Sequence, residues 1–265
     1  MSILAIDIGN SRIKWGLFQG CEIIRQHAFE YAFTSTSLEQ LLDNEDMPVE
    51  GNKLVISNVA GDEVKETLVN WLNARGCDDY LFAKTGLKLC GVTNAYEMPD
   101  ALGVDRWLAI VAAYHHVMRS SDESVCVIDC GTAITLDVVN CQGMHMGGLI
   151  MPGLQTMREA LLRKTKAVRI DMQNRDIEVE GRLASSTEDA VDQGCAQLMV
   201  EGLSAIVKKH QHNERAKLLC LVTGGDGSWV AKKMGVMNTF DPYLVFNGLR
   251  LLSENNALAN NSDIN

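Results

Sequence analysis

Four short stretches carry side chains able to do chemistry. In Asp7-Ile8-Gly9-Asn10-Ser11, with Arg12, Ile13 and Lys14 behind it, a carboxylate stands before a glycine turn. A glycine there lets backbone N–H groups approach a phosphate closely, and Asn10 and Ser11 add side-chain donors. Asp7 is of the type that holds a hydrated magnesium ion. Asp129-Cys130-Gly131-Thr132-Ala133 offers the same parts: a carboxylate, a tight turn and a hydroxyl. Thr223-Gly224-Gly225-Asp226-Gly227 pairs glycines where a flat ring or a ribose can lie against backbone. Gly103-Val104-Asp105-Arg106-Trp107 opens an apolar run with an acid and a base, at a helix start that attracts anions. Each stretch also has a plain reading: a hairpin turn, a glycine-rich strand–helix connection, or a helix-start aspartate with a partnered arginine. The absence of a GxxxxGK[ST] pattern excludes a P-loop.

These stretches sit at the joints of a regular pattern. Residues 3–8 and 13–18 read as two strands of a hairpin, 53–59 as a buried strand, and 80–83 as a short one. Apolar positions at helical spacing mark 62–75, ended by Gly76, and 104–118 is a long buried helix; 38–42 is helical and 91–99 loop-like. The opening pattern then returns, with Asp129 close to half a chain length after Asp7, and strands at 125–130 and 134–139. Further strands are expected at 146–151 and 218–223. Helices are expected at 155–162, 187–209 (despite internal Gly194 and Gly202), 230–234 and 242–252. Two such matches at half-chain spacing indicate duplicated domains, and strands mixed with helices indicate an α/β class.

In this order, two acidic hairpins and a late glycine pair resemble the actin-like, Hsp70 and sugar kinase superfamily. The fuller series narrows this. DIGNS, GVDRW, DCGTAITLD, GGLIMPG, Ser186-Thr187-Glu188-Asp189-Ala190 with Gly194, and VTGGDG closely resemble type III pantothenate kinase, a family that includes Bvg accessory factor-like proteins. The resemblance runs from Asp7 to about Gly248. It implies two related actin-like (ribonuclease H-like) domains, each a mixed β-sheet flanked by helices, with an ATP cleft between them. The domains would span residues 1–118 and 119–253, with 254–265 a frayed tail.

The resemblance also implies an activity: transfer of the γ-phosphoryl of ATP to pantothenate, the first step of coenzyme A synthesis. Asp105 would be the base facing the pantothenate hydroxyl. Tyr96, Gly103, Val104, Arg106 and Thr187 would line the pantothenate site. Asp7, Ile8, Gly9, Asn10, Ser11, Arg12, Ile13 and Lys14 match the first phosphate loop, and Thr132 matches the second. Asp129 matches a monovalent-cation position, for potassium or ammonium, beside ATP with magnesium. The family is typically a homodimer with pantothenate near the subunit interface. Ser11 replaces a commoner threonine and keeps the hydroxyl. Another kinase of the superfamily is disfavoured by the Gly-Val-Asp-Arg motif with Thr187. A non-catalytic regulatory protein is disfavoured by the intact Asp7, Asp105 and Asp129.

Composition bounds the rest. The chain has 265 residues and a net charge of −10, so nucleic acid is a poor partner by bulk electrostatics. Apolar runs are too short for a membrane span, and the start lacks a signal-peptide pattern, so a cytoplasmic location is expected. The eight cysteines form no CxxC pair and are expected as free thiols. Cys130 reads as a small buried hydrophobe. His210 and His212, and the basic stretch Arg163, Lys164, Lys166 and Arg169, read as solvated surface.

Overall fold

The computed structural model describes residues 2–31, 35–117, 123–164, 183–213 and 217–262. Lys166 and Arg169 of the basic stretch lie outside the described residues. The chain divides into two compact units. Unit 1 comprises Met1–His116, Gly143–His145 and Tyr243–Asn265; unit 2 comprises Val117–Gln142 and Met146–Pro242.

In unit 1, β1 (Ile3–Ile8), β2 (Arg12–Gln19), β3 (Glu22–Glu30), β4 (Lys53–Asn58) and β5 (Tyr80–Phe82) form one sheet in the order β3-β2-β1-β4-β5. β1 pairs antiparallel with β2 and parallel with β4. β1 is buried on both faces, which is why Leu4-Ala5-Ile6 runs apolar without alternation. Leu4, Ile6 and Ile8 pack with Leu38 and Leu42 of α1 (Ser35–Asn44) and with Val64, Leu68 and Leu72 of α2 (Asp62–Asn73). A two-stranded ribbon, β6 (Lys88–Leu89) and β7 (Val92–Thr93), then leads through a 3-10 turn at Pro99–Ala101 into α3 (Val104–Val117).

In unit 2, β8 (Glu123–Cys130), β9 (Ala133–Val139), β10 (His145–Pro152, of which His145 itself belongs to unit 1), β11 (Lys217–Thr223) and β12 (Thr239–Phe240) form a sheet in the order β10-β9-β8-β11-β12. β8 pairs antiparallel with β9 and parallel with β11. Its core joins Cys126, Ile128 and Cys130 to Met199, Leu203 and Val207 of α5 (Thr187–Asn213) and to Val230 of α6 (Gly227–Lys233). Met157 of α4 (Leu154–Lys164) packs against it. The two sheets share one topology, strand for strand, as the repeated Asp-x-Gly pattern led us to expect. The mixed sheets flanked by helices are the expected α/β fold.

Three features differ from the sequence reading. β3 was not expected; it is an edge strand whose side chains are mostly exposed, so its sequence lacks an apolar stripe. β7 falls inside the stretch read as a loop. The closing helix, α7 (Leu244–Ser262), runs well past residue 252 and belongs to unit 1, where the repeat had suggested the second half. Its Gly248 lies against the Leu108 backbone of α3, an approach that a Cβ would block.

Candidate active site

β1 delivers Asp7 to the carboxyl end of the unit 1 sheet. Strand register fixes its neighbours: Lys14 of β2 lies opposite on one side and Ser57 of β4 on the other. Directly paired residues share a sheet face, so the three form a polar row across an apolar sheet. Asp7 is only 8% exposed. Burial pushes its carboxyl up from 3.8 to about 6. The Lys14 charge opposes this, the Asp105 charge adds to it, and the Ser57 hydroxyl partly offsets it. That hydroxyl does not reach hydrogen-bond geometry. Asp7 Oδ1 and Ser57 Oγ are both buried without a hydrogen-bond partner among the described residues.

The turn beyond Asp7 is tightly held. Gly9 N–H donates to Arg12 O at 3.0 Å, and the Tyr31 hydroxyl donates to Gly9 O at 2.6 Å. Asn10 and Ser11 are exposed at its tip. Ile8 and Ile13 put their side chains into the core, which leaves only their backbone for a ligand. The Arg12 guanidinium is engaged by Glu30 of β3, through Nε at 3.1 Å and Nη2 at 2.5 Å.

Asp105 stands in the first turn of α3 and is partly exposed. Its Oδ1 accepts the Arg106 N–H at 2.7 Å. A Cβ on Gly103 would stand 2.8 Å from that oxygen, so glycine makes room for this carboxylate. Its effect on Asp7 places both carboxylates in one electrostatic neighbourhood. Arg106 is buried and donates from Nη1 to the Tyr96 hydroxyl at 3.1 Å, with its guanidinium 5.8 Å from the Tyr96 ring centre. Unit 1 thus sets Asp7 opposite Lys14, with Asp105 close enough to raise the Asp7 pKa, and Arg106 follows Asp105 and holds Tyr96.

Unit 2 repeats the arrangement on β8. Asp129 lies opposite Thr135 of β9 and Thr223 of β11, the same row positions as Lys14, Asp7 and Ser57. Gly131 N–H donates to Ala133 O at 3.1 Å, closing the second turn. Thr132 is exposed there, and its carbonyl accepts the Gly153 N–H at 3.0 Å and the Thr156 hydroxyl at 2.7 Å from the start of α4. Gly224 has a φ of +93° and sits on Asp129 and Cys130 so closely that a Cβ would overlap both. Asp226 N–H donates to Cys130 O at 3.0 Å. Cys130 is buried and its thiol is pushed well up, chiefly by burial, so it is an inert hydrophobe as expected.

Thr187 is exposed at the start of α5, on unit 2, whereas Tyr96 and Asp105 are on unit 1. Ser186 caps this helix: the Asp189 N–H donates to its Oγ at 3.1 Å, and its hydroxyl donates to Asp189 Oδ2 at 2.7 Å. Sequence reasoning missed Ser57, which strand register alone reveals, and named Thr223 only within its glycine stretch, not as the partner of Asp129. It also missed His145, which stacks on Tyr96.

The family profile described as type III pantothenate kinase matches residues 3–209. A type III pantothenate kinase of Pseudomonas aeruginosa is 36% identical over 260 residues, covering 94% of this chain and 98% of that protein. One from Nitrosococcus oceani is 33% identical over 256 residues, covering 93% and 92%. Among solved structures, a Campylobacter jejuni protein described as a Baf family transcriptional activator superposes with a TM-score of 0.60 at 22% identity, covering 96% of this chain and 99% of that one. MreB 5 of Spiroplasma citri bound to AMPPNP superposes at 0.55 with 8% identity, covering 99% and 98%, a likeness of fold alone. With two acidic turns on twinned sheets, a Gly-x-Asp-Arg helix start and relatives matched over nearly their whole length, the chain belongs to the type III pantothenate kinase family.

Proposed function

We infer that this chain transfers the γ-phosphoryl group of ATP to the primary hydroxyl of pantothenate, giving phosphopantothenate and ADP at the entry to coenzyme A synthesis. The observation that carries this reading is that a helix-start carboxylate, Asp105, held clear by Gly103, lies near enough to add to the upward push on Asp7, the buried carboxylate before the first turn.

Phosphoryl transfer needs in-line positioning and charge neutralisation more than covalent help. The pantothenate oxygen forms a bond to the γ-phosphorus as the bond to the β-phosphate oxygen breaks, and the hydroxyl proton passes to Asp105. An alcohol is far too weak an acid to ionise first, so Asp105 orients the hydroxyl and takes its proton late. Tyr96, Gly103, Val104, Arg106 and Thr187 contact pantothenate. The turn at residues 9–12, with Lys14 behind it, and Thr132 hold the phosphates.

Asp7 Oδ1, buried and without a protein donor, suits a cation or its bound water. Among the described residues, no three acidic, histidine or cysteine side chains gather as a metal cage. The fit is therefore to magnesium that keeps most of its water and is shared with phosphate. Magnesium supplies neutralisation of the triphosphate charge when bound. Asp129, cradled by Gly224 where a Cβ would intrude, suits the monovalent cation, potassium or ammonium. A homodimer with pantothenate near its interface, working in the cytoplasm, completes the reading. No helix among the described residues is long and apolar enough to cross a membrane.

Mass detection of products tests this. With ATP, magnesium, pantothenate and a potassium salt, phosphopantothenate and ADP should form in equal amounts, and exchanging potassium for sodium should slow both. ADP formation indifferent to pantothenate would overturn the kinase reading. Equal rates in both salts would overturn the Asp129 cation assignment alone.

A further inference from the structure

His145 stands at the start of β10 and is 2% exposed, in a run that otherwise reads as plain strand. Its ring lies nearly parallel to that of Tyr96, with centres 6.0 Å apart and planes 14° apart. Its Nδ1 accepts the backbone N–H of Ala95 at 3.4 Å, which in the neutral ring puts the proton on Nε2. One imidazole thus contacts both the Tyr96 ring and the backbone just before it.

The rest of the Tyr96 support is equally specific. Tyr96 N–H donates to Asn94 Oδ1 at 3.0 Å. Asn94 is buried, and its amide donates to Gly86 O and Pro99 O, each at 3.3 Å, tying the loop down on both sides. The Tyr96 hydroxyl is reached by Arg106. Backbone, ring face and hydroxyl of one partly exposed tyrosine are therefore each held by a different residue.

We propose that His145 is a positioning residue for pantothenate: by stacking on Tyr96 and holding the Ala95 amide, it presets the Tyr96 ring and, through its hydroxyl, the Arg106 guanidinium. This rests on the reading of Tyr96 and Arg106 as pantothenate contacts. Substrate binding alone would feel the loss, because Asp105 is placed by its own helix turn and the phosphate turn by Tyr31 and Arg12.

The test is steady-state kinetics of the full-length protein for wild type, His145→Ala and His145→Phe, with thermal melting of each. His145→Ala should raise the pantothenate KM about three- to tenfold, the range expected for a lost aromatic pair, with the KM for ATP within about twofold of wild type. His145→Phe keeps the stacking face and loses the Nδ1 acceptor, so it should recover a substantial part of that loss. A folded His145→Ala variant with unchanged pantothenate KM, or equal rises in both KM values, would overturn the proposal. If His145→Ala does not fold, a pantothenate KM for His145→Phe worse than tenfold would do the same. Failure of wild type to turn over pantothenate would instead be a failure of the kinase reading itself.

Discussion

At the scale of single residues, Asp7 is a carboxyl buried at a cost in stability. Its carboxyl is raised to about 6 in the fold against an ordinary 3.8. Below about pH 3 it is largely neutral whether the chain is folded or not. Between about 4 and 6 the folded chain keeps the proton and the unfolded chain loses it, so this group's contribution to stability falls as pH rises. Above about 6 the fold holds a buried charge at a cost of at most about 3 kcal/mol. Asp7→Asn should therefore melt higher than wild type near pH 8 with metal chelated, by on the order of 1–3 kcal/mol, and approach it near pH 3. A wild type as stable as the variant near pH 8 would contradict this. Asp7 was legible as an acid before a glycine turn, and Asp105 as an acid at a helix start. Ser57 and His145 were not. A serine ending an apolar strand and a histidine starting another carry no local signal, and only register or tertiary packing shows what they face.

At the scale of elements, α4 and α5 are joined by a buried ion pair. Arg158 Nε donates to Asp192 Oδ1 at 2.6 Å, and both side chains are almost fully covered. α4 anchors the Thr132 turn at its start, and α5 begins at Thr187, so the pair sets one against the other within unit 2. Breaking a buried pair leaves an uncompensated charge. Asp192→Ala should cost about 3–5 kcal/mol by chemical denaturation, while Arg158→Met with Asp192→Leu should recover most of it. Equal losses in both variants would show that the charges themselves are needed. The exposed Arg12–Glu30 pair invites no such expectation, because solvent screens it. Long apolar elements were readable because burial on one or both faces imposes a pattern. β3 was not, because an edge strand with its side chains in solvent is free of that constraint.

At the scale of the whole molecule, the chain is one design used twice. The two sheets share an order, each central strand carries an aspartate one residue before its end, and a hydrogen-bonded turn follows each. The Asp-x-Gly repeat made this duplication visible. Which unit takes the last helix was not visible, because its local pattern names no partner; in the fold Gly248 packs on the Leu108 backbone of unit 1. In the proposed function the two duplicated aspartates, Asp7 and Asp129, take cations, and Asp105 at the Gly103–Arg106 helix start faces the acceptor hydroxyl instead. That division of labour is the central claim. The most direct measurement is pantothenate-dependent ADP release by Asp105→Asn beside wild type, with nucleotide binding followed in parallel. The account predicts that kcat falls by about a hundredfold or more while ATP still binds. A variant that turns over within about twofold of wild type would contradict it.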